Sequence, residues 1–384
     1  MTARLMLVCG EPSGDLLGAQ LMAGLKQASG GDVEITGVGG PAMGAEGLKS
    51  LYPLDTTAVM GLREVVPRIP AILRRVREAS DFALKTRPDA VVLIDSPDFT
   101  HRIAQRLKRV DPTIRTINYV APQVWASRAY RAKKMARYFD LVLALLPFEA
   151  PFFERYGLRS IVVGHPVIER ATRMTGGAAF RARHGIAADA KLLAVLPGSR
   201  TSEIRFILPV FRDAVAKIAA RVPGLITVLP TVPHVAARVR AATQDWPTPI
   251  VLLENDGEKY ASFDAADAAL AASGTVTTEL ALAGTPMVVG YRVGSLTYAL
   301  ASLIMNVRYI TLVNVLLDRE AVPEFVQSRC TPQNLAAAVT ALLTDKGAAL
   351  HERADLEKAA EMLGKGGEAP SLRAARAILE FVGS

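Results

Sequence analysis

Short apolar runs alternate with helix-like stretches along almost the whole chain of 384 residues. In the first half, such runs occupy residues 5–9, 33–38, 90–95, 114–120, 141–146 and 160–164. In the second half, they occupy residues 191–197, 225–230, 249–253, 266–272 and 286–290. Strands that are apolar throughout are typical of parallel sheets covered by helices on both faces. The alternation therefore predicts an α/β protein built from βαβ units in doubly wound, Rossmann-like sheets.

The chain exceeds the size at which one hydrophobic core keeps growing, so we expect two domains. Segment 165–190 interrupts the alternation with a Gly-Gly pair and mixed polar residues, and we interpret it as the crossing between them. The predicted domains are 1–167, completed by a C-terminal helix at 366–384, and 168–365. Two such domains predict a cleft between the carboxyl ends of two parallel sheets, where folds of this class bind ligands.

Composition limits the compartment and the partners of the protein. Cys9 and Cys330 are far apart and form no CxxC pair, which favours a reducing compartment and disfavours structural zinc. The chain lacks a secretory signal and any apolar stretch of 18 residues, so we expect a cytoplasmic protein that does not span a membrane. Of a net charge of +8, segment 101–137 contributes ten Lys or Arg and one acid. A basic segment of this kind is compatible with three anionic partners: a phosphorylated substrate, nucleic acid or an acidic membrane surface.

The loop after the first predicted strand reads "GEPSGD". A phosphate-binding loop is rich in glycine at this place, but Glu11 and Asp15 would repel a phosphate. We therefore predict that the loop contacts something other than a bare phosphate. Its candidate binding residues are Gly10, Glu11, Ser13, Gly14 and Asp15.

The segment "LIDSPDF" places Asp95 at the end of the third predicted strand, with Asp98 three residues later. Carboxylates at strand ends of a doubly wound sheet face the ligand crevice, where partial desolvation raises the pKa of a carboxyl toward that of a useful general base. The alternative is that both aspartates cap a turn or a helix.

The segment "LPGSRTSEI" follows a predicted strand in the second half and opens a helix. Gly198 allows a tight turn, and Arg200 can approach a diphosphate together with backbone amides. We expect Ser199 or Thr201 to cap the helix, with Glu203 in its first turn. The alternative is an ordinary capped turn without a ligand.

A second turn of this kind lies in "AASGTVTTELALAG". Ser273, Gly274 and Thr275 at a helix N-terminus suit a pyrophosphate, and Glu279 one turn later can accept hydrogen bonds from ribose hydroxyls. A single Ser-Gly-Thr caps many helices and indicates little. Two such turns facing one cleft favour a nucleoside diphosphate.

The stretch 60–79 carries apolar residues at helical spacing beside five arginines, with a regular helix predicted from about Pro70. Such a stripe usually faces the core, but the arginine density also allows contact with a membrane surface. The candidate membrane contacts are Leu62, Val66, Ile69, Leu73, Arg74 and Arg75.

The motifs occur together in one order from residue 5 to about residue 335, and they resemble the lipid-A-disaccharide synthases of glycosyltransferase family 19. They are "GEPSGD", "GGPAM", "VMGLREV", "IDSPDF", "YVAPQVWA", "LLPFE", "GHP", "LPGSRTSEI", "SGTVTTEL", "PMVVGYR" and "NVLLDREAVPEFVQ". The chain departs from the family pattern at Ser127, where a second Trp is common, so no essential role is expected there.

The resemblance implies a glycosyltransferase-B fold and an inverting reaction without metal or cofactor. The implied donor is UDP-2,3-diacylglucosamine and the implied acceptor is 2,3-diacylglucosamine 1-phosphate, which give the β(1→6) disaccharide 1-phosphate and UDP. It further implies peripheral association with the cytoplasmic face of the inner membrane and a homodimer with exchanged C-terminal elements. No nucleic acid partner is expected, because the basic segment lacks a recognition fold.

Carried onto this chain, the resemblance implies roles for particular residues. Asp95 is the expected base, with Asp98 as second choice and Glu11 beside them, while Arg200 stabilises charge on the diphosphate. Gln123, Asn314, Glu324 and Gln327 join the glycine-rich loops as substrate-binding residues. In this assignment, the N-terminal domain holds the acceptor and the C-terminal domain the UDP-sugar.

Two rival functions are also compatible with the sequence. A UDP-sugar 2-epimerase on the same fold would bind UDP without acyl chains. A non-catalytic, membrane-surface nucleotide-binding protein would bind without releasing UDP.

Overall fold

The computed structural model describes residues 2–54, 69–122, 130–254, 257–294, 298 and 308–383. They form two compact units: unit 1 contains the chain up to Pro166 and again from Gly367, and unit 2 is Val167–Gly366. Within these ranges, each unit is built around a parallel six-stranded sheet, and no helix is long and apolar enough to cross a membrane. The predicted doubly wound, Rossmann-like architecture is therefore confirmed for each unit.

Unit 1 begins with six strands that alternate with helices. The strands are β1 Ala3–Cys9, β2 Val33–Val38, β3 Ala90–Ile94, β4 Thr116–Tyr119, β5 Leu141–Ala144 and β6 Arg159–Val162. The helices are α1 Pro12–Ser29, α2 Pro41–Ala45, α3 Ile69–Thr86, α4 Pro97–Val110, α5 Tyr130–Met135 and α6 Ala150–Glu154. β3, β4 and β5 are buried along their whole length, which explains their uniformly apolar sequences.

The strand order in unit 1 is β2-β1-β3-β4-β5-β6. The chain thus runs outward from β1 to β2 and then crosses back to β3, which pairs with the other side of β1. Doubly wound sheets bind their ligands at this reversal, outside the carboxyl ends of the two strands. The loops that leave β1 and β3 are "GEPSGD" and "DSPD", so the acidic motifs of the first half flank the reversal.

Unit 2 opens with a 3₁₀ helix, Pro166–Arg173, which begins at the last residue of unit 1. The strands are β7 Leu192–Leu196, β8 Ile226–Pro230, β9 Ile250–Leu253, β10 Ala268–Ala271, β11 Met287–Tyr291 and β12 Glu324–Val326. The helices are α7 Gly177–Arg183, α8 Thr201–Ala219, α9 Pro233–Ala242, α10 Lys259–Ala265, α11 Thr275–Ala283, α12 Leu312–Leu317, α13 Pro332–Thr344 and α14 Lys346–Leu363.

The strand order in unit 2 is β12-β11-β10-β7-β8-β9. Its reversal lies between β7 and β10, which are adjacent and parallel. The loop after β7 is "PGSR" and the loop after β10 begins "ASGT", so the two predicted nucleotide turns are neighbours at this reversal.

Two sequence predictions differ from the structure. The short strand β12 was not predicted, because three residues beginning with a buried Glu324 give no apolar run. The units divide at Pro166, inside the segment 165–190 that was interpreted as the crossing, but most of this segment, including the helix α7, belongs to unit 2. The Gly-Gly pair that interrupted the pattern supplies the N-cap and the first residue of that helix.

The chain ends in helix α15, Pro370–Gly383, which returns to unit 1 and packs on α1. The two helices approach so closely that a Cβ on Gly24 would lie 2.7 Å from the carbonyl oxygen of Ser371. At the other end of α15, the Arg115 guanidinium donates to the carbonyls of Phe381 and Val382 at 2.8 and 3.0 Å. The helix is thus fixed to unit 1 at both ends.

Candidate functional site

The turn after β3 holds Asp95 in an uncommon backbone conformation. Asp95 and Ser96 have φ angles of 51° and 47°, in the left-handed region that residues with a side chain rarely occupy. Two hydrogen bonds hold the turn: Asp95 N donates to Tyr119 O at 2.9 Å, and Thr100 Oγ1 donates to Asp95 O at 2.6 Å. Val120, at the end of the adjacent β4, also has a positive φ of 69°. Backbone strain of this kind concentrates at functional sites.

The glycines of "GEPSGD" allow the loop to pack against this turn. A Cβ on Gly10 would lie 2.8 Å from the Cβ of Ser96, and one on Gly14 would lie 3.0 Å from the Cβ of Cys9. The same added Cβ on Gly14 would lie 3.9 Å from the Cβ of Asp95. The "GEPSGD" loop and the turn at Asp95 therefore lie together, as predicted. The glycines are needed because these two segments of the protein pack closely against each other.

The pKa of Glu11 responds to the acidic turn after β3. Burial raises the pKa of Glu11 above its ordinary value, and the charges of Asp95 and then Asp98 raise it further, while Ser96 acts in the opposite direction. Ser13 Oγ lies 3.5 Å from Asp95 Oδ2. Asp98 is exposed in the first turn of α4, whereas Asp95 is partly buried. Of the two aspartates, Asp95 therefore has the stronger effect on Glu11 and the more enclosed position.

Asp15, predicted to bind substrate, has a structural role in this fold. Its carboxylate is buried and accepts hydrogen bonds from three backbone amides: Gly40 N at 2.7 Å, Ala42 N at 2.9 Å and Met43 N at 3.0 Å. These amides belong to the "GGPAM" motif at the start of α2, where unpaired N–H groups need an acceptor. Asp15 thus joins α1 to α2.

In unit 2, the "PGSR" and "SGT" turns line one pocket of about 400 Å³. The sequence therefore predicted correctly that these two turns meet. The pocket is lined by Arg170, Leu196, Gly198, Ser199, Arg200, Glu203, Pro230, Thr231, Val232, Lys259, Ala272, Ser273, Gly274, Thr275, Val276 and Glu279.

Glu203 shapes the first of these turns. Its buried Oε2 accepts from Ser199 N at 2.9 Å and from Arg200 N at 3.1 Å, and its Oε1 accepts from the Arg200 guanidinium at 2.9 Å. The sequence predicts Ser199 or Thr201 as the cap of α8, but the cap position is Arg200 and neither hydroxyl makes the capping bond. Glu203 satisfies those amides and leaves most of the Arg200 side chain exposed at the pocket.

Glu279 lies at the centre of a group of charges that the sequence did not reveal. Its carboxylate is 3% exposed and forms ion pairs with Arg170 and with Lys259, both at 2.8 Å. The hydroxyl of Tyr260 donates to it at 3.2 Å. No motif surrounds Arg170 or Lys259, and nothing in the sequence distinguishes them from other surface cations.

Ser273 is positioned through the segment that precedes α12. Its hydroxyl donates to Ile310 O at 2.9 Å, and Glu324 holds the same segment by accepting from Ile310 N and Thr311 N at 2.9 and 2.8 Å. Asn314 Nδ2 donates to Glu324 at 2.8 Å. Glu324 therefore holds the backbone at Ile310, which in turn positions Ser273.

Asn314 and Gln327 are likewise bonded to the backbone. Asn314 Oδ1 accepts from Ala321 N and Val322 N at 2.8 Å. Gln327 Oε1 accepts from Val293 N at 2.8 Å, and its Nε2 donates to Val293 O at 3.1 Å. Among the described residues, Asn314, Glu324 and Gln327 are not part of the pocket lining and instead fix segments near it.

The predicted membrane contacts lie only partly within the described residues. Leu62, Val66 and the substrate-binding candidate Gln123 lie outside them. On α3, Ile69, Leu73 and Arg74 are exposed. Arg75 instead packs over the ring of Tyr52, with its guanidinium carbon 4.6 Å from the ring centroid.

Comparison with known proteins decides the family. A family model described as lipid-A-disaccharide synthetase matches residues 5–378. The chain belongs to the lipid-A-disaccharide synthase family. It is therefore a glycosyltransferase of lipid A biosynthesis, and the family predicted from the motifs is confirmed.

Curated relatives of the family agree over nearly the whole length. The chain is 49% identical to the lipid-A-disaccharide synthase of Rhodospirillum centenum over 98% of this chain and 94% of that protein. It is 50% identical to the enzyme of the same name from Paramagnetospirillum magneticum over 98% of this chain and 97% of that protein.

Solved structures of low identity share the fold. MurG of Acinetobacter baumannii has a TM-score of 0.59 at 15% identity, over 99% of both chains. The UDP-GlcNAc 2-epimerase of Methanocaldococcus jannaschii has a TM-score of 0.61 at 13% identity, over 98% of this chain and 99% of that one. These likenesses confirm the predicted glycosyltransferase-B type of fold. At such identity they give no support to the epimerase alternative.

Proposed function

We propose that this chain transfers the sugar of UDP-2,3-diacylglucosamine to the 6-hydroxyl of 2,3-diacylglucosamine 1-phosphate, with unit 1 holding the acceptor and unit 2 the donor. The products are the β(1→6) disaccharide 1-phosphate and UDP. Membership of the synthase family supports the reaction, and the site geometry supports the assignment of its steps to residues.

The donor is assigned to the pocket of unit 2. Backbone amides at the start of α11 face an anion favourably, because a helix N-terminus leaves N–H groups unpaired and carries partial positive charge. Arg200 adds a guanidinium that is largely exposed at this pocket. As the bond between the sugar C1 and the diphosphate breaks, its electrons go to the diphosphate oxygen, and Arg200 stabilises the charge that develops there.

The base is assigned to Asp95, and its fixed, left-handed turn at the reversal of the sheet is the observation that carries this assignment. The acceptor O6 attacks C1 of the donor sugar from the face opposite the leaving UDP, which inverts the anomeric centre. The O6 proton passes to the Asp95 carboxylate. The hydrogen bonds of the Asp95 N–H and C=O fix the backbone that carries this carboxylate, and a base on a fixed backbone is suited to that transfer.

Glu11 is assigned to the hydroxyls of the acceptor sugar. Its raised pKa results first from burial and then from the charge of Asp95. A sugar hydroxyl that donates a hydrogen bond to Glu11 would reduce the repulsion between the carboxylates of Glu11 and Asp95. These two side chains are therefore suited to bind one edge of a sugar.

The direct test compares Asp95→Asn with Asp98→Asn. We expect Asp95→Asn to lower turnover by about 10²- to 10⁴-fold, the usual contribution of a general base, and to leave the Kd for UDP unchanged because the nucleotide pocket lies in unit 2. Asp98→Asn is the matched control on the same turn and should retain most activity. Near wild-type turnover of Asp95→Asn would contradict the base assignment.

A membrane-facing role of α3 is also proposed. Ile69 and Leu73 lie one helical turn apart and are both exposed, and Arg74 beside them is 76% exposed and could meet anionic headgroups. Leu73→Glu should lower the partition coefficient onto vesicles with anionic lipid by about tenfold or more. Leu350→Glu, on a leucine exposed in unit 2, is the control and should bind like the wild type. Equal binding of both variants would contradict this role.

A homodimer that exchanges α15 is the remaining proposal. The connection before α15 contains Gly364 and Gly366, and the contacts of α15 with Gly24 and Arg115 could be supplied equally by a second copy. Light scattering coupled to size exclusion should give twice the chain mass. A monomer at micromolar concentration would contradict the proposal.

A further inference from the structure

We infer that two serines are positioning residues for the proposed transfer: Ser96 orients the carboxylate of Glu11, and Ser13 orients that of Asp95. Each serine lies on the loop opposite the acid on which it acts, so the two loops at the reversal of the unit 1 sheet exchange their hydroxyls. The inference rests on the proposed function, in which Glu11 binds acceptor hydroxyls and Asp95 takes the proton.

The two loops leave the sheet side by side. The last residues of β1 and β3 are paired in register, so both strands end at the same edge. Glu11 and Ser13 follow β1, while Asp95 and Ser96 follow β3. Like charges disfavour the ionised form of a carboxylate, and a hydroxyl that donates to it favours that form. Donors from the opposite loop therefore support the charged state that both proposed roles require.

Ser96 occupies the N-cap position of α4, but its hydroxyl does not cap the helix. A serine at this position normally accepts from the amide of the second or third helical residue. Here the third of these amides, Phe99 N, donates to the carbonyl oxygen of Ser96 at 2.9 Å, and the side chain makes no capping bond. The hydroxyl is therefore available for another partner.

The side chain of Ser96 instead lies against the loop that carries Glu11. A Cβ on Gly10 would lie 2.8 Å from Ser96 Cβ and 3.0 Å from Ser96 Oγ. Ser96 is 6% exposed, and among the described residues its Oγ has no hydrogen-bond partner. A buried hydroxyl of this kind calls for an acceptor within reach. Since Oγ is also closed to solvent, it acts on a protein group and not directly on substrate.

Glu11 is the acceptor that the surroundings of Ser96 provide. Burial and then the charge of Asp95 raise the pKa of Glu11, and the Ser96 hydroxyl lowers it, as a donor to the charged form does. The charge of Asp98 is a further, smaller influence that raises it. A rotation of either side chain completes the hydrogen bond from Ser96 Oγ and fixes the Glu11 carboxylate.

Ser13 supplies the corresponding donor for Asp95. The hydrogen bonds of the Asp95 N–H and C=O fix its backbone, but they leave its carboxylate free to rotate. Ser13 Oγ lies 3.5 Å from Asp95 Oδ2, which is long for a bond between a hydroxyl and a carboxylate. Hydrogen bonds in active sites are often long in the free enzyme and tighten when the substrate binds. Ser13 thus lies where it can select one rotamer of Asp95.

The first experiment measures kcat, the acceptor KM and the Kd of UDP for the wild type and for Ser96→Ala. We expect the acceptor KM to rise at least about tenfold, the usual loss for a hydrogen bond to a charged group. Both kcat and the Kd of UDP should change less than about twofold, because Ser96 acts on the acid that binds the acceptor. An acceptor KM within about twofold of the wild type would overturn the role of Ser96.

Ser96→Gly controls for the backbone of the turn. It removes the same hydroxyl, and glycine adopts the positive φ of this position without strain. We expect the same rise in acceptor KM as in Ser96→Ala. A rise in Ser96→Ala alone would report the conformation of the turn and would overturn the role of the hydroxyl.

A double-mutant cycle shows whether Ser96 acts through Glu11. In a Glu11→Ala background, Ser96→Ala should change the acceptor KM by less than about twofold, because the carboxylate that it orients is gone. A rise of tenfold in that background as well would overturn the positioning role.

Ser13→Ala tests the second contact. We expect kcat to fall about threefold to tenfold, the usual worth of one hydrogen bond, with the acceptor KM within about twofold, since the orientation of a base matters in the transition state. Ser29→Ala is the matched control at the other end of α1, where the hydroxyl donates to Lys26 O at 3.4 Å, and it should match the wild type. Equal kcat values for the two variants would overturn the role of Ser13.

The variants of the acids separate this inference from the proposed function. Wild-type kinetics in Glu11→Ala and Asp95→Asn would contradict the proposed roles of the two acids. Losses in those variants together with wild-type kinetics in the serine variants would overturn only the roles of Ser13 and Ser96.

Discussion

Replacing Asp15 by Asn should destabilise unit 1 far more than it impairs chemistry. In the wild type, Asp15 Oδ1 accepts from Gly40 N and Met43 N, and Oδ2 accepts from Ala42 N. Asn keeps one acceptor oxygen, so it can retain the two bonds to Oδ1. Its amide nitrogen then faces the N–H of Ala42, which places two donors against each other.

The size of the effect follows from these bonds. Losing one hydrogen bond to a buried charged acceptor costs about 1.5–3 kcal/mol. Losing the negative charge beside a helix N-terminus adds about 0.3–1 kcal/mol. We therefore expect Asp15→Asn to lower the free energy of unfolding by about 2–4 kcal/mol. Asp15→Ala, which loses all three bonds, should cost more.

The assay is urea unfolding followed by far-ultraviolet circular dichroism, together with turnover per folded molecule. Glu34→Gln, on an exposed acid of β2, is the control and should leave the unfolding midpoint unchanged. If Asp15→Asn unfolds like the wild type and yet loses turnover, Asp15 contacts substrate and its structural role is refuted.

Two further perturbations test other parts of the fold. Burial raises the pKa of Glu352 to about 8. The folded state thus keeps a proton that the unfolded state loses above its ordinary pKa of 4.5. As the pH rises from 5 to 8, the free energy of unfolding should fall by up to about 1.4 kcal/mol per pH unit. Glu352→Gln keeps an acceptor for Met287 N but cannot titrate, so it should flatten this slope. The slope is measured by urea unfolding at several pH values, and an unchanged slope in the variant would contradict the raised pKa of Glu352. Gly24→Ala should lower the melting temperature, because the added Cβ would lie 2.7 Å from the Ser371 carbonyl oxygen. Gly44→Ala, on a helical glycine with open space around it, should be neutral or stabilising, so equal shifts for the two variants would contradict the close packing of α1 on α15.

The sequence predicted those features that depend on neighbouring residues. Buried parallel strands are continuous apolar runs, so the strands of both sheets except β12 could be located from composition alone. The motifs after β1, β3, β7 and β10 were also visible, since Gly, Pro, Ser and Asp concentrate where a strand turns into a helix. The fold then explains why these four matter: each pair flanks the reversal of its sheet.

The contacts that sequence reasoning missed involve partners that are distant along the chain. Asp15 looked like a ligand-binding acid because its amide partners lie 25 to 28 residues away, in a motif with no charge of its own. The ion pair of Glu279 with Arg170 was not visible because the two residues are 109 positions apart. Only the folded chain shows which donors reach a given carboxylate, so an acid in a glycine-rich motif can be assigned to binding or to structure only from its contacts.

Analysis of the product tests the proposed reaction directly. The purified chain is incubated in detergent with UDP-2,3-diacylglucosamine and 2,3-diacylglucosamine 1-phosphate, with EDTA present, and the products are examined by mass spectrometry and by the anomeric coupling in proton NMR. We expect one tetra-acyl disaccharide 1-phosphate with a β(1→6) linkage for each UDP released. Release of UDP without this disaccharide, or an α linkage at the new bond, would contradict it.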